Sequence, residues 1–387
     1  MLNNLKQTFS EQFGQESQRT FFAPGRVNLI GEHIDYNGGL VMPCAVTYGT
    51  YLLTAPNKDG VFRFASVNFP ETYETPVLSG YSKTGKEWFN YPLGVIHNFV
   101  IDEKEVQGLD LLFYGDLPIG AGLSSSASVE VVIAYALNTI FDTGYSKLDL
   151  VKLTKRVENE FIGVNSGIMD QFAVTFGEKN RALKLDCESL EYQAVECDLA
   201  NNLLAIINTN KPRKLAESKY NERVGECAQA LASLQAELSI DNLCDINAQT
   251  YEAHKHLIRD SIVQNRAKHV IEENDRVKLA AKALAAHNLE EFGKLMFASH
   301  ESLRTLYEVS GLELDTIVTF CKTYSGVTGA RMTGAGFGGC AIALVKKDTF
   351  GDFSKKITDY YSANIGYEPS VYSSEIGTGV VELKHYA

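Results

Sequence analysis

The segment DLPIGAGLSSSASVEVVIAYAL, Asp116 to Leu137, sets two glycines and three serines directly before an apolar run with helical spacing. Gly120 and Gly122 let backbone amides approach an anion, and Ser124, Ser125 and Ser126 add hydroxyls. The helix that follows turns the positive end of its dipole toward them. That is the chemistry of a phosphate cradle. It is not the Walker pattern, because no lysine follows the glycines, so the missing charge has to come from Mg2+ or another segment. Taken alone, the same turn also reads as a plain helix N-cap.

A second glycine-rich stretch, TGAGFGG, formally meets GxGxxG through Gly334, Gly336 and Gly339. Its surroundings read as helix before and strand after (CAIALV), which is not the order of a dinucleotide fingerprint, and NAD binding is set aside. The glycines suit a tight turn pressed against another backbone or a ligand. The segment APGRVNLIGEHIDYNGGLVMP, Ala23 to Pro43, puts Arg26, Glu32, His33 and Asp35 within ten positions. On a loop between apolar runs such a set can ligate the hydroxyls of a small polar molecule. The plainer alternative is turn chemistry for Asp35 and Asn37, with Arg26 in a surface ion pair. A fourth segment, RVENEFIGVNSGIMDQFAVTFG, carries Glu158, Glu160 and Asp170. Asp170 opens an apolar helix, where a carboxylate either serves the helix dipole or aims into a cleft.

Periodicity indicates the elements that position these residues. GLVMPCAVTYGTYLLTA, GVFRFASV and GLDLLFYGDL are rich in β-branched and aromatic residues between turn formers, which suits strands. SSSASVEVVIAYALNTIF and LDLVKLTKRVENEFIG switch to helical spacing, and RALKLDCESLEYQAVECD and NNLLAIINTN return to strand. Val224, Cys227, Leu231, Leu234 and Leu238 form a stripe that predicts one buried helix face. Helix continues through KLAAKALAAHNLEEFGKLMFASHESL, and short strands close the chain around GGCAIALVKK and TGVVEL. The expected class is α+β in two lobes, 1–195 and 196–387, with the boundary drawn between 190 and 205.

At roughly 100–200 residues per domain, 387 residues also suit two domains. With 45% hydrophobic and 22% charged residues the chain has material for substantial cores and is not a disordered type. Its 48 acidic against 36 basic side chains give a net charge of −12, which repels nucleic acids and anionic membranes. Any phosphate must therefore be gripped locally. No apolar run reaches the ~18 residues of a membrane span, and the start MLNNLKQTFSEQFG has no apolar signal core, so the cytoplasm is the expected location. The seven cysteines (Cys44, Cys187, Cys197, Cys227, Cys244, Cys321, Cys340) are scattered, without a CxxC pair, and read as free, mostly buried thiols. Eight histidines without HExxH point away from a protein-built transition-metal site.

Together and in this order, the four segments resemble the GHMP small-molecule kinases, and within them the galactokinases. GRVNLIGEHIDYN looks like the galactokinase signature, PIGAGLSSSAS is similar to the phosphate loop of the superfamily, and GARMTGAGFGGC looks like its third motif. The resemblance implies an N-terminal lobe of the ribosomal-protein-S5-domain-2-like type and a C-terminal α+β lobe, with the active site between them. It implies transfer of the γ-phosphate of ATP to the anomeric hydroxyl of D-galactose, giving galactose 1-phosphate and ADP, with Mg2+ as the metal. Carried over position by position, it assigns Gly120, Ala121, Gly122, Leu123, Ser124, Ser125 and Ser126 to the ATP phosphates and Ser66 to the nucleotide. Ser126 and Glu158 go to Mg2+, Glu32, His33, Ile34, Asp35 and Tyr220 to the sugar, and Arg26 and Asp170 to the catalytic pair.

Ile34 stands where many galactokinases have threonine, and Val224 replaces a second arginine after Arg223, which leaves fine substrate preference open. The alternatives are a sister kinase for N-acetylgalactosamine or arabinose, and a non-catalytic galactose sensor, whose mark would be a shortened phosphate loop. Galactose and ATP are the expected partners, with neither nucleic acid nor membrane.

Overall fold

A computed structural model describes residues 1–118, 120–164, 167–211 and 216–384. Its strands are β1 (Arg19–Asn28), β2 (Leu40–Val41), β3 (Pro43–Pro56), β4 (Val61–Ser66), β5 (Tyr73–Pro76), β6 (Leu109–Gly115), β7 (Arg181–Asp186), β8 (Tyr192–Glu196), β9 (Asn202–Asn208), β10 (Val327–Thr333), β11 (Cys340–Lys346), β12 (Ser370–Ser374) and β13 (Val381–Glu382). They build a six-stranded sheet in the order β13-β1-β3-β6-β4-β5, a four-stranded sheet β10-β11-β9-β12 and a small sheet β2-β7-β8. Helices pack on these sheets, so the class is α+β. Among the described residues no helix is long and apolar enough to cross a membrane.

Strand β1 is buried along nearly its whole length. Its first half shares a core with Leu93 and Val131 on the helices Asn90–Ile101 and Ser125–Phe141, through Phe21 and Ala23. Its second half enters a larger apolar cluster in which Val27 joins Ile206, Met332 and Ile342 of the four-stranded sheet. At the very end Asn28 O accepts from Arg331 Nη1 and Thr333 Oγ1, both at 3.1 Å. The strand thus delivers its last residues to the seam between the two main sheets. The chain end also crosses that seam: after β12, β13 pairs back onto β1, with Phe21 opposite Glu382.

Several local expectations are corrected. Arg26 sits on a strand, not on a loop. The TGAGFGG turn joins β10 to β11 as an antiparallel hairpin, so a strand precedes it rather than a helix. The helix Ala216–Leu234 ends before Leu238, and its face buries Arg223, Cys227, Ala230 and Leu234 while Val224 stays half-buried. Arg223 can replace an apolar residue there because its Nε donates to Tyr307 O at 2.7 Å. The long C-terminal run splits into Ser261–Ala285 and Leu289–Ser302, because His287 takes a left-handed φ of 53° and Asn288 caps the second helix. The segment 148–163 likewise changes from α-helix to a π-helical turn, Val157–Ile162.

Candidate active site

Arg26 follows a break in the β1–β3 register between Pro24 and Arg26. Gly25 permits it: a Cβ there would stand 2.7 Å from Leu123 O, so glycine lets the strand lie against the Gly/Ser loop before the helix Ser125–Phe141. Arg26 N–H donates to Leu123 O at 3.0 Å. The buried guanidinium forks onto Asp170, Nε to Oδ1 at 2.7 Å and Nη2 to Oδ2 at 2.8 Å, while Nη1 donates to Gly122 O at 2.8 Å. Burial opposes its charge, but Asp170 outweighs burial and raises the pKa. Asp170 stands in the first turn of the helix Met169–Phe176 and also accepts from Ser124 Oγ. Its side chain keeps 30% of its surface open, whereas that of Arg26 keeps 9%. The pair is therefore a planar, oriented ion pair at a cavity wall, not the surface contact of the plainer reading. Asn165 and Ser166, a few positions before Asp170 in the sequence, lie outside the described residues.

One cavity of about 230 Å³ is walled by Arg26, Asp170, Glu32, His33, Asp35, Tyr220 and the Gly334–Ala335 turn. It is smaller than the ~300–1,000 Å³ of drug-sized clefts, and its polar lining suits a molecule of monosaccharide size. Glu32 is buried, with Oε2 on Arg331 Nη1 at 2.7 Å and Asn28 Nδ2 at 3.2 Å, and Oε1 accepting the Gly334 N–H at 2.7 Å. Burial raises its pKa, and Arg331 opposes that rise. Asp35 is half-buried, and its pKa is pushed up to about 6 by burial and then by the charges of Glu32 and Asp170. The Tyr220 ring packs at 5.6 Å from His33 and 5.4 Å from Tyr36.

His33 lines the cavity, yet both of its nitrogens are engaged. Nε2 lies 3.2 Å from Ala335 O, an oxygen that only accepts, so Nε2 carries the proton. Burial lowers the ring's pKa to about 3 and keeps it neutral. Nδ1 then accepts from Tyr36 OH (2.9 Å), Tyr36 from Tyr307 (2.8 Å), and Tyr307 from the Cys227 thiol (3.1 Å). The directed chain leaves a ligand the ring surface of His33 rather than a hydrogen bond. Ile34, also expected at the sugar, is fully buried in the main core and does not line the cavity.

A second cavity shares Arg26, Asp170, Gly334 and Ala335 with the first and is otherwise walled by Gly120, Gly122 to Ser126 and Gly336. Ala121 and Leu123 bury their side chains and anchor the loop. Ser124 has φ 59° and makes no side-chain cap on the helix Ser125–Phe141, so the N-cap reading gives way and the helix mouth faces the cavity. Ser126 Oγ donates to Glu158 Oε1 at 2.7 Å, and Gln171 Nε2 to Glu158 Oε2 at 2.9 Å. A hydroxyl and a carboxylate converging beside a phosphate cradle fit Mg2+, a hard cation usually held by one or two carboxylates, phosphates and water. No cluster of three or more His, Cys, Asp or Glu side chains able to hold a metal occurs among the described residues. One turn beyond Ser126, Glu130 is fully buried, with Gln171 as its polar neighbour. Burial, and then the charge of Glu158, pushes its pKa well up.

A third cavity adjoins the phosphate loop at Gly120, Ser125 and Ser126 and is walled by Phe69, Trp88, Tyr91 and Phe113, with Ser66 and Asn68. Phe69 and Trp88 stack at 17°, and Asn68 spends its amide on Gly115. An aromatic pocket opening onto a phosphate cradle suits a nucleobase. Ser66 is thus brought here with the loop. Nothing in the sequence marks Trp88, Tyr91, Phe69, Gln171 and Glu130, because isolated residues in separate segments carry no spacing signal. Arg331 and Gly334 carry one: both lie in GARMTGAGFGGC.

The galactokinase galactose-binding signature matches residues 7–56, the GHMP kinase N-terminal domain residues 90–178 and the GHMP kinase C-terminal domain residues 280–363. The galactokinase of Clostridium tetani is 49% identical over 383 residues, covering 99% of this chain and 98% of that protein. That of Streptococcus thermophilus is 48% identical over 381 residues, 97% and 98% of the two chains. The crystal structure of Lactococcus lactis galactokinase complexed with galactose is similar at TM-score 0.93 and 44% identity, over 99% of this chain and 100% of the other. Methanococcus jannaschii mevalonate kinase, at 21% identity and TM-score 0.71 over 94% and 99% of the chains, shares the fold. With relatives this similar along nearly its full length, the chain belongs to the galactokinase family, ATP-dependent sugar kinases of the GHMP fold.

Proposed function

We propose that the protein transfers the γ-phosphate of ATP to the anomeric hydroxyl of D-galactose, giving galactose 1-phosphate and ADP at the entry to galactose catabolism. The observation that carries this reading is the Arg26–Asp170 fork on the wall common to the sugar-sized and phosphate cavities. Glu32, Asp35 and Tyr220 bind the sugar, with His33 packed beside it. The loop Gly120–Ser126 cradles the phosphates, and the aromatic pocket with Ser66 takes the base. Ser126 and Glu158 would hold Mg2+, which when bound neutralises phosphate charge. Phosphoryl transfer asks mainly for position and charge stabilisation. Arg26 faces the phosphates from the sugar side, and Asp170 accepts the hydroxyl proton. The lobes are read as 1–195 and 196–387, with β13 lent back to the first sheet.

The test is ADP release from ATP with Mg2+ against galactose, glucose, N-acetylgalactosamine and arabinose. Galactose should lead, with glucose, inverted at carbon 4, lower in kcat/KM on the order of 10²-fold or more, because an unmatched hydroxyl leaves buried polar groups unpaired. Comparable values for the two sugars would sink the proposed pocket. Preference for another sugar would make the protein a sister kinase, and galactose binding without ADP release a sensor.

A further inference from the structure

The loop that carries Glu32, His33 and Asp35 leaves β1 and returns at β2, and the helix Ser261–Ala285 grips it at both ends. His269, Glu273 and Asn274 are inward-turned residues of that helix. Glu273 Oε1 accepts the Gly31 N–H at 3.0 Å and the Ser299 hydroxyl at 2.6 Å, and Oε2 accepts Arg276 Nε at 2.6 Å. His269 Nε2 donates to Glu32 O at 3.2 Å, which leaves Nδ1 to accept from Ser302 Oγ at 2.8 Å. At the far end Asn274 Oδ1 accepts the Leu40 N–H at 3.0 Å. Gly31 lies flat on the same helix: a Cβ there would stand 2.9 Å from Val277 Cγ2 and 2.6 Å from Leu40 O, at φ +97°.

The N–H of Gly31 and the carbonyl of Glu32 flank the Gly31–Glu32 peptide bond and the Cα that carries the Glu32 side chain into the cavity wall. Both are held by this one helix. Glu273 is fully buried, and burial pushes its pKa up, but Arg276, then His269 and Arg331, bring it down to about 2, so its bonds are those of an anion. A buried ion pair is a poor way to stabilise a helix contact, since apolar packing does as well or better. What this carboxylate adds is a fixed position for the loop.

We propose that Glu273 is a positioning residue for sugar recognition: by binding the Gly31 N–H while His269 binds the Glu32 carbonyl, it sets where the Glu32 carboxylate meets the sugar. The inference rests on the reading of Glu32 as a sugar ligand, and the experiment separates the two. Glu32→Gln, Glu273→Gln and the double variant are compared by calorimetric galactose binding and steady-state kinetics, each checked for folding by thermal melting. A glutamine at 273 cannot accept from both Arg276 and Gly31, so galactose affinity should fall about tenfold. The value of kcat should stay within a few-fold and KM for ATP should hold. The double variant should bind galactose no worse than Glu32→Gln within a few-fold, because the two residues act through one contact. Should Glu273→Gln fail to fold, Glu273→Asp keeps the charge beside Arg276 but falls short of Gly31 and should weaken galactose in the same way. Folded Glu273 variants with unchanged galactose affinity, or an additive double variant, would overturn the proposal. If Glu32→Gln alone bound galactose like the parent, the sugar-site reading itself would fall.

Discussion

At the residue scale the Arg26–Asp170 pair joins orientation to chemistry. Asp170 is gripped by the fork of Arg26 and by Ser124, yet about a third of its side chain stays open to the cavities. Replacing it with asparagine keeps the shape and removes the proton acceptor. General-base contributions are ~10²–10⁴-fold, so single-turnover phosphoryl transfer in folded Asp170→Asn should slow by at least ~10²-fold while galactose still binds. A rate within a few-fold of the parent would make Asp170 a helix-start residue only. The pH dependence belongs to a different residue. His33 and His269 are lowered to about 3 and about 4 by burial and remain neutral through the working range, whereas Asp35 titrates near 6. Below that pH its protonated carboxyl loses acceptor capacity, so galactose affinity should fall as pH drops through about 6. The stability contribution runs the other way. A folded pKa raised from 3.8 to about 6 means that the native state binds the proton more tightly, so this contribution is full below 3.8 and lost as pH rises through 6. Asp35→Asn should flatten both trends, in calorimetric titrations and in melting curves taken from pH 4.5 to 8; an unchanged acid limb would assign it elsewhere.

At the scale of elements, two irregular helix ends shape the side of the site proposed for the phosphates. The helix Ser125–Phe141 starts from a left-handed Ser124 whose hydroxyl turns to Asp170 rather than capping the helix. Positive dipole and first-turn amides are thereby left to the cavity. The π-helical turn Val157–Ile162 interrupts the regular ladder and brings Glu158 to Ser126. If these two elements meet to hold Mg2+, Glu158→Gln should raise the Mg2+ concentration for half-maximal activity on the order of ten- to a hundredfold, the scale seen for groups that tune a metal site. A Mg2+ titration matching the parent's would remove Glu158 from the metal site.

At the scale of the whole molecule, the site is a seam: β1 carries Arg26 from the six-stranded sheet, and the β10–β11 hairpin brings Arg331 and Gly334 from the other. The amino-acid sequence by itself determined the α+β class, the galactokinase signature and the family, because these reside in short contiguous runs whose residue types and order carry the chemistry. Local patterning also placed most strands and the main helices. It could not tell that Arg26 lies on a strand, since Pro24 and Gly25 read as loop and only pairing with β3, Pro24 opposite Gly49 and Arg26 opposite Ala45, keeps the run in the sheet. Nor could it see that Ile34 turns into the core while Asp35, its neighbour, lines the cavity, or that both nitrogens of His33 are committed, because those outcomes depend on Tyr307, Ala335 and Cys227 far along the chain. Glu130 and Glu273 look like ordinary helix carboxylates in the sequence. Only the tertiary structure decides that one is fully buried beside Glu158 and the other accepts the Gly31 N–H, because burial and hydrogen-bond partners at long sequence separation are set by packing and leave no periodic mark.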